Sequence, residues 1–215
     1  MSSRVEQPRM AAFPAQRGDG RGGAPCLDFV NTVDAHDRSP ASDDLYPGYV
    51  NLLAWCNEAR VVPPDMAQRL RRRAQREPRV AAEVRKRAVA LREALYRIAT
   101  ALADGDTPDA HDLATLEWEI HAARANARLR AQDGVLAWAF TDEPELDRLL
   151  WPIAVSAEHL LRSPEARRIR RCAGEACQRL FLDTTKNGSR RYCSTRGCGN
   201  RERVRRFRER ATASS

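Results

Sequence analysis

The chain has 215 residues, 42% of them hydrophobic, and 37 Lys and Arg against 29 Asp and Glu give a formal net charge of +8. That suits one mid-sized core plus a small accessory unit, at about 100 to 200 residues per domain. It excludes a membrane span, because no stretch is long enough, and a secretory leader, because Met1 to Gly23 has no apolar h-region; the expected compartment is the reducing cytoplasm, where paired cysteines favour metal over disulfide.

Residues 1–23 are rich in Gly and Pro without periodicity and read as a disordered leader. Order is expected from Ala24. Leu27 to Thr32 (LDFVNT) reads as a short extended or helical segment packed on a core. Its Asp28 and Asn31 are candidates to line a ligand pocket, although a local cap-and-turn pair is the plainer role, since such side chains routinely satisfy nearby backbone. A polar loop over 34–47 follows, with His36 solvated.

Tyr49 to Glu58 reads as a helix with Val50, Leu53, Ala54 and Asn57 on related faces, Trp55 as an anchor and Cys56 in the core. Pro63-Pro64-Asp65 starts a second helix running to about Gln75, since Pro is tolerated in a first turn. Its basic run from Arg69 to Arg76 is a solvated face, offset by Glu77 and Glu83. Arg79 to Ala103 is the longest helix, with Val80, Val84, Ala88, Leu91, Leu95, Ile98 and Leu102 forming a buried stripe. Thr107 or Asp109 caps the next, through Leu113, Leu116, Ile120 and Ala123. Ala127 to Arg130 and Val135 to Phe140 flank Asp133-Gly134 as a hairpin. Glu143 to Arg162 is a last helix that Pro152 kinks, unless it marks a start. Ser163-Pro164 then breaks the chain, leaving too few residues for a free linker, so two docked units are expected over 24–163 and 164–211.

The second unit holds four of the six cysteines as C-x4-C-x15-C-x4-C: Cys172, Cys177, Cys193 and Cys198. Two short chelating loops joined by a hairpin suit a tetrahedral Zn²⁺ with a closed shell of thiolates, one structural ion per chain. The expected hairpin pairs Arg179 to Asp183 with Arg190 to Cys193 around Asn187-Gly188, and Gly174 and Gly197 are expected to supply positive φ inside the chelating loops. From Asn200 to Ala211 a helix follows, with Cys198 at or just before its N-terminus.

Glu165 to Ser215 carries fifteen Lys and Arg against five Asp and Glu, whereas the remainder has 22 against 24, so the whole basic excess surrounds the cysteines. This makes an anion-seeking surface. At about 100° per residue, Arg201, Arg205 and Arg208 fall on one helix face and Arg203, Arg206 and Arg210 on another. Val204, Phe207 and Ala211 are expected to pack back on the cysteine unit. Together with Arg190 and Arg191, these arginines are the candidate nucleic-acid contacts, because guanidinium forks match phosphates and guanine edges.

Cys198-Gly199-Asn200-Arg201, with Phe181 to Asp183 and Arg190 to Ser194, resembles the CGNR zinc finger; Tyr192 and Arg203 stand where that finger more often has Trp and Lys. LDFVNT at Leu27 to Thr32 and LLWPIA at Leu149 to Ala154 resemble the companion ABATE domain. The resemblance covers roughly Ala24 to Arg210 and implies a stress-induced transcription regulator with a helical N-terminal domain.

The fold class expected is therefore mainly α: a helical N-terminal domain with a small β-hairpin, plus a treble-clef or ribbon-like zinc finger. No nucleophile and base pair, phosphate loop or catalytic metal triad stands out, so no enzyme is expected. The expected partner is duplex DNA, with no membrane and with homodimerisation through the helical domain. The alternatives are an RNA-binding or ribosome-associated protein, and a protein-interaction adaptor. Aromatics placed for base stacking are few, because Phe181, Tyr192 and Phe207 all look structural, and this weighs against single-stranded RNA.

Overall fold

The computed structural model describes residues 22–33, 47–132, 134–175 and 177–213. Residues 1–21 of the expected 1–23 leader and the loop holding His36 lie outside the described residues, whereas Gly22 and Gly23 are ordered against the core. Helices α1 (Pro25–Val30), α2 (Tyr49–Glu58), α3 (Pro64–Arg76), α4 (Pro78–Asp104), α5 (Ala110–Ala125) and α6 (Trp151–Arg162) form the body, and α7 (Asn200–Ala213) closes the chain. Two antiparallel pairs accompany them, β1 (Ala127–Gln132) with β2 (Val135–Phe140) and β3 (Ile169–Arg171) with β4 (Leu180–Leu182). The protein is thus mainly helical, with one small hairpin in the helical domain and a four-cysteine unit at the C-terminal end.

The spine is α4, where Ala81, Val84, Ala88, Leu91, Leu95 and Ile98 are all buried. Their three- and four-residue steps keep one face of a 3.6-residue helix turned to the core. Val80 falls off that face and is exposed, as are Val50 of α2 and Leu113 of α5, contrary to expectation. In α2 the buried face is instead Tyr49, Leu52, Leu53 and Cys56, because the tertiary contact is made on the side that carries Leu52. Gly105, at φ +85, ends α4 in the left-handed conformation that glycine adopts without strain, and the Asp106 N–H returns to the Ala101 carbonyl at 2.8 Å.

Proline stands in the first turn of α1, α3, α4 and α6, where its missing N–H costs nothing. Pro152 therefore starts α6 rather than kinking it, after a 3-10 turn over Leu146–Leu149. At α5 the Asp109 side chain caps the helix by accepting from His111 N–H at 2.8 Å. The expected β1–β2 hairpin forms, with Gln132 opposite Val135 and Gly134 at φ +81. Its base packs Ala127 and Phe140 on Trp151, and the Phe140 and Trp151 rings lie 5.5 Å apart. Ion pairs cross between helices or to the turn before α6, among them Arg87 with Glu119 and Asp147, Arg97 with Asp112, and Arg124 with Glu158.

The cysteine unit does not stand apart from this body. Ile169, Leu180 and Leu182 are buried in the same core as Leu27, Leu91, Leu95 and Leu160. Fully burying an aliphatic side chain contributes about 1.5 to 3 kcal/mol, so the unit depends on the helices and they on it. Around this seam Arg171 pairs with Asp104 at 2.9 Å and the Tyr96 hydroxyl meets Gln178 at 3.4 Å.

The other edge of β4 is closed by the α1 segment. Asn31, 6% exposed, donates to the Leu180 carbonyl at 2.8 Å and accepts from the Leu180 N–H at 3.1 Å. Two residues on, the Leu182 N–H reaches the Gly22 carbonyl at 2.7 Å. Asn31 and Gly22 thus stand in for a third strand and satisfy an edge that would otherwise carry buried, unpaired backbone. A side chain at Gly23 would come within 3.2 Å of the Leu182 Cβ, and its φ of +85 also demands glycine.

Candidate metal centre and arginine face

The metal-site spacing is realised by a knuckle and a helix start. The expected hairpin between Arg179–Asp183 and Arg190–Cys193 does not form. Instead β4 pairs with β3, whose end leads directly into Cys172, so the first chelating loop is the hairpin turn itself. Cys172 N–H donates to the Arg179 carbonyl and Cys177 N–H to the Gly174 carbonyl, both at 2.9 Å. The return segment meets the first chelating loop through a backbone bond, Ala173 N–H to the Arg191 carbonyl at 2.9 Å. Between β4 and that segment, Asp183 organises the turn: it accepts from the Thr185 hydroxyl and N–H and from the Arg190 N–H. Burial would raise this carboxyl, but those hydrogen bonds hold it below its ordinary value.

The second pair arrives on a π-helical turn, Thr195–Gly199, that runs into α7 and is capped by the Ser194 hydroxyl accepting from Gly197 N–H at 3.0 Å. Cys198 therefore lies just before the helix, as expected. Gly174 and Gly197 are not in the positive-φ region, contrary to expectation. Space is the reason for both: a Cβ on Gly174 would sit 3.3 Å from the Cys177 Cβ and 3.4 Å from that of Cys198, and one on Gly197 3.3 Å from the Ser194 hydroxyl.

All four cysteines are buried and unpaired by disulfides. Their sulfurs lie within 4.8 Å of one another, with Cys177 to Cys193 at 3.8 Å and Cys193 to Cys198 at 3.7 Å. A tetrahedral ion with metal–sulfur bonds of ~2.3 Å places its ligand sulfurs about 3.8 Å apart, so the cage has the dimensions of a Zn²⁺ thiolate site. Protonation tells the same story. Hydrogen bonding from Cys193 holds Cys172 down to about 4, while burial pushes Cys177 up to about 11 and the interaction with Cys172 raises Cys193. A bound dication would favour the thiolate form of all four.

Two groups support the sulfurs from outside. Cys193 N–H donates to the Cys172 sulfur at 3.3 Å, and the Arg201 guanidinium donates to the Cys198 sulfur at 3.2 Å. Arg201, placed by its sequence among nucleic-acid contacts, thus serves the metal centre. Its position three residues after Cys198 on a helix is the signal that could have found it.

Several other candidate arginines are also engaged. Arg190 stacks its guanidinium 4.5 Å from the Phe181 ring centroid and donates to the carbonyls of Tyr192 and Cys193, so it is part of the finger's frame. Arg205 is held by Glu202 at 2.7 Å and Glu209 at 2.6 Å, and Arg206 by Glu202 at 3.0 Å. Arg201 and Arg205 are thus engaged at the metal centre and with glutamates, although both are exposed.

The other face borders a larger cleft. A groove of about 520 Å³ runs between α7 and the segment before Cys193, and its lining includes Arg191, Tyr192, Gly199, Arg203, Arg206, Phe207 and Arg210. Among the described residues of α7 only Glu202 is buried. Phe207 is 74% exposed and Val204 41%, so the expectation that they pack back on the finger is overturned. The finger holds α7 by its first turn, and the rest of the helix projects from it.

A family model described as "Putative stress-induced transcription regulator", ABATE, matches residues 23–164. The chain belongs to the ABATE family. Its residues 168–211 match the model of the CGNR zinc finger, and no curated protein matches the chain. Within the ABATE domain, Asp28 and Asn31 do not form a ligand pocket. Asp28 accepts from Gly22 N–H at 2.8 Å and Asn31 spends its amide on Leu180. A cavity of about 380 Å³ at the seam between α1, α6 and β4 is lined by Ala24, Ser156, His159, Leu160, Glu165 and Leu182 among others, and by neither residue. No described helix is long and apolar enough to cross a membrane.

Proposed function

We propose that the protein is a zinc-dependent, stress-responsive transcription regulator that binds duplex DNA through the Arg203, Arg206 and Arg210 face of α7 together with Arg191. The observation that carries this reading is the convergence of those four guanidiniums on one open groove, beside a helix whose first turn is fixed by the metal cage. One structural Zn²⁺ on Cys172, Cys177, Cys193 and Cys198 suits the sulfur spacing and the all-thiolate donor set, and it leaves no open coordination position for chemistry. The reading assigns no catalytic step, and it places the protein in the reducing cytoplasm, where such a cage persists. Self-association through the ABATE domain belongs to the same reading. Leu129, Leu136 and Trp138, exposed together on one face of the β1–β2 hairpin, support it.

Fluorescence anisotropy of the zinc-loaded protein on random duplex across a salt series tests the reading. Each phosphate neutralised contributes about −0.9 to the slope of log K against log salt, so four groove arginines give roughly −3 to −4. Arg203→Ala lowers the slope by about one, and Arg205→Ala and Arg206→Ala, whose guanidiniums share Glu202, lower it by less. Absence of binding at low salt refutes the reading in favour of an adaptor.

A further inference from the structure

Phe207 is the anomaly of the arginine face. On a helix whose other groove-lining neighbours are charged, a 74% exposed phenyl ring with no core to fill is a ring presented to a ligand. It shares a helical stripe with Arg203 four residues before and Arg210 three after, which places a guanidinium about one 5.4 Å turn along the axis on either side. The opposite wall is Tyr192 with Arg191, and Gly199 forms the floor, where a Cβ would lie 3.3 Å from the Ser194 carbonyl and 3.7 Å from the Tyr192 ring. A flat apolar surface between two positive charges, in a cleft within the ~300 to 1,000 Å³ range of ligand sites, matches one nucleotide: a base on the ring and its flanking phosphates on the arginines.

We propose that this groove holds a single unpaired nucleotide of a DNA strand, its base stacked on Phe207 and its phosphates on Arg203 and Arg210, with Arg191 closing the far side. This rests on the nucleic-acid reading above and deepens it. Intact duplex meets the arginines alone; an extruded or unpaired base adds the ring. Stacking on an aromatic side chain is worth ~1 to 3 kcal/mol per base, so a site with an unpaired nucleotide is bound roughly 5- to 150-fold more tightly than the same duplex without it.

The test uses the full-length, zinc-loaded protein and three labelled probes: a random duplex, the same duplex with one unpaired thymine, and an RNA duplex with the corresponding unpaired uracil. The expected result is a preference for the unpaired DNA site, read as the ratio of the two DNA affinities, that Phe207→Ala abolishes and Phe207→Trp keeps. Quenching of a fluorescent purine analogue at the unpaired position, lost in Phe207→Ala, reports the stack directly. Equal binding of the two DNA probes by the wild type overturns the inference, and so does an equal loss on both probes in Phe207→Ala; in either case duplex binding with the expected slope leaves the regulator reading standing. Tighter binding of the RNA probe overturns the assignment to DNA, and no binding to any probe overturns both readings.

Discussion

Replacing Asn31 with Asp alters a single donor at the seam between the ABATE domain and the finger. The Leu180 N–H keeps an acceptor, but the Leu180 carbonyl, now 2.8 Å from the Asn31 amide nitrogen, loses its donor and faces a carboxylate oxygen in a buried site. Only the protonated acid restores the bond, so the folded state raises the carboxyl above its ordinary ~3.9. A raised folded value means that the native state binds more protons than the unfolded one, so the variant loses stability as pH rises from about 4. If the acid stays protonated when folded, the cost at pH 7 approaches three units at 1.36 kcal/mol each, about 4 kcal/mol. At ~2 to 4 °C per kcal/mol for a chain of this size, the melting temperature falls by roughly 8 to 16 °C at pH 7 and by far less at pH 4 to 5, each relative to wild type at that pH. Thermal unfolding followed by circular dichroism measures this, with metal release followed in parallel; one shared transition is expected, because the finger and the helices share a core. A shift that is equal at the two pH values, or under about 2 °C at both, refutes the role given to Asn31.

Cys193→Ser is expected to lose the bound metal by elemental analysis and, through Ile169, Leu180 and Leu182, to lower the stability of the helical body as well. Retention of full zinc content would contradict the ligand assignment. Asp112 is held below the usual carboxylate range by the Arg97 guanidinium, so its contribution is complete above about pH 4 and disappears as pH falls through the lowered value; Asp112→Asn should flatten the acid limb of stability against pH, and an unchanged limb argues against it. Phe207→Ala should change folding stability by less than about 0.5 kcal/mol in urea unfolding, because its ring buries nothing in the free protein; a loss above about 1 kcal/mol would mean that the ring packs after all.

The sequence by itself determined what depends on neighbours along the chain. The stripe of α4, the prolines at helix starts, the Asp109 cap, the Gly134 turn and the two C-x4-C loops are set by periods and spacings of a few residues, and the helical domain with its four-cysteine unit follows from them. The pairing of Glu202 with Arg205 and Arg206 was also legible, at three- and four-residue spacing, and it engages one arginine on each face. Only the tertiary structure decided which strand pairs with β4, that Asn31 reaches 149 residues along the chain to Leu180, and on which side of α7 the finger lies. An amphipathic pattern assigns a helix an apolar side only where something is there to cover it. At α7 the finger ends after one turn, so Val204 and Phe207 keep the spacing of a packed face while facing solvent, and no reading of local periodicity could supply the missing partner.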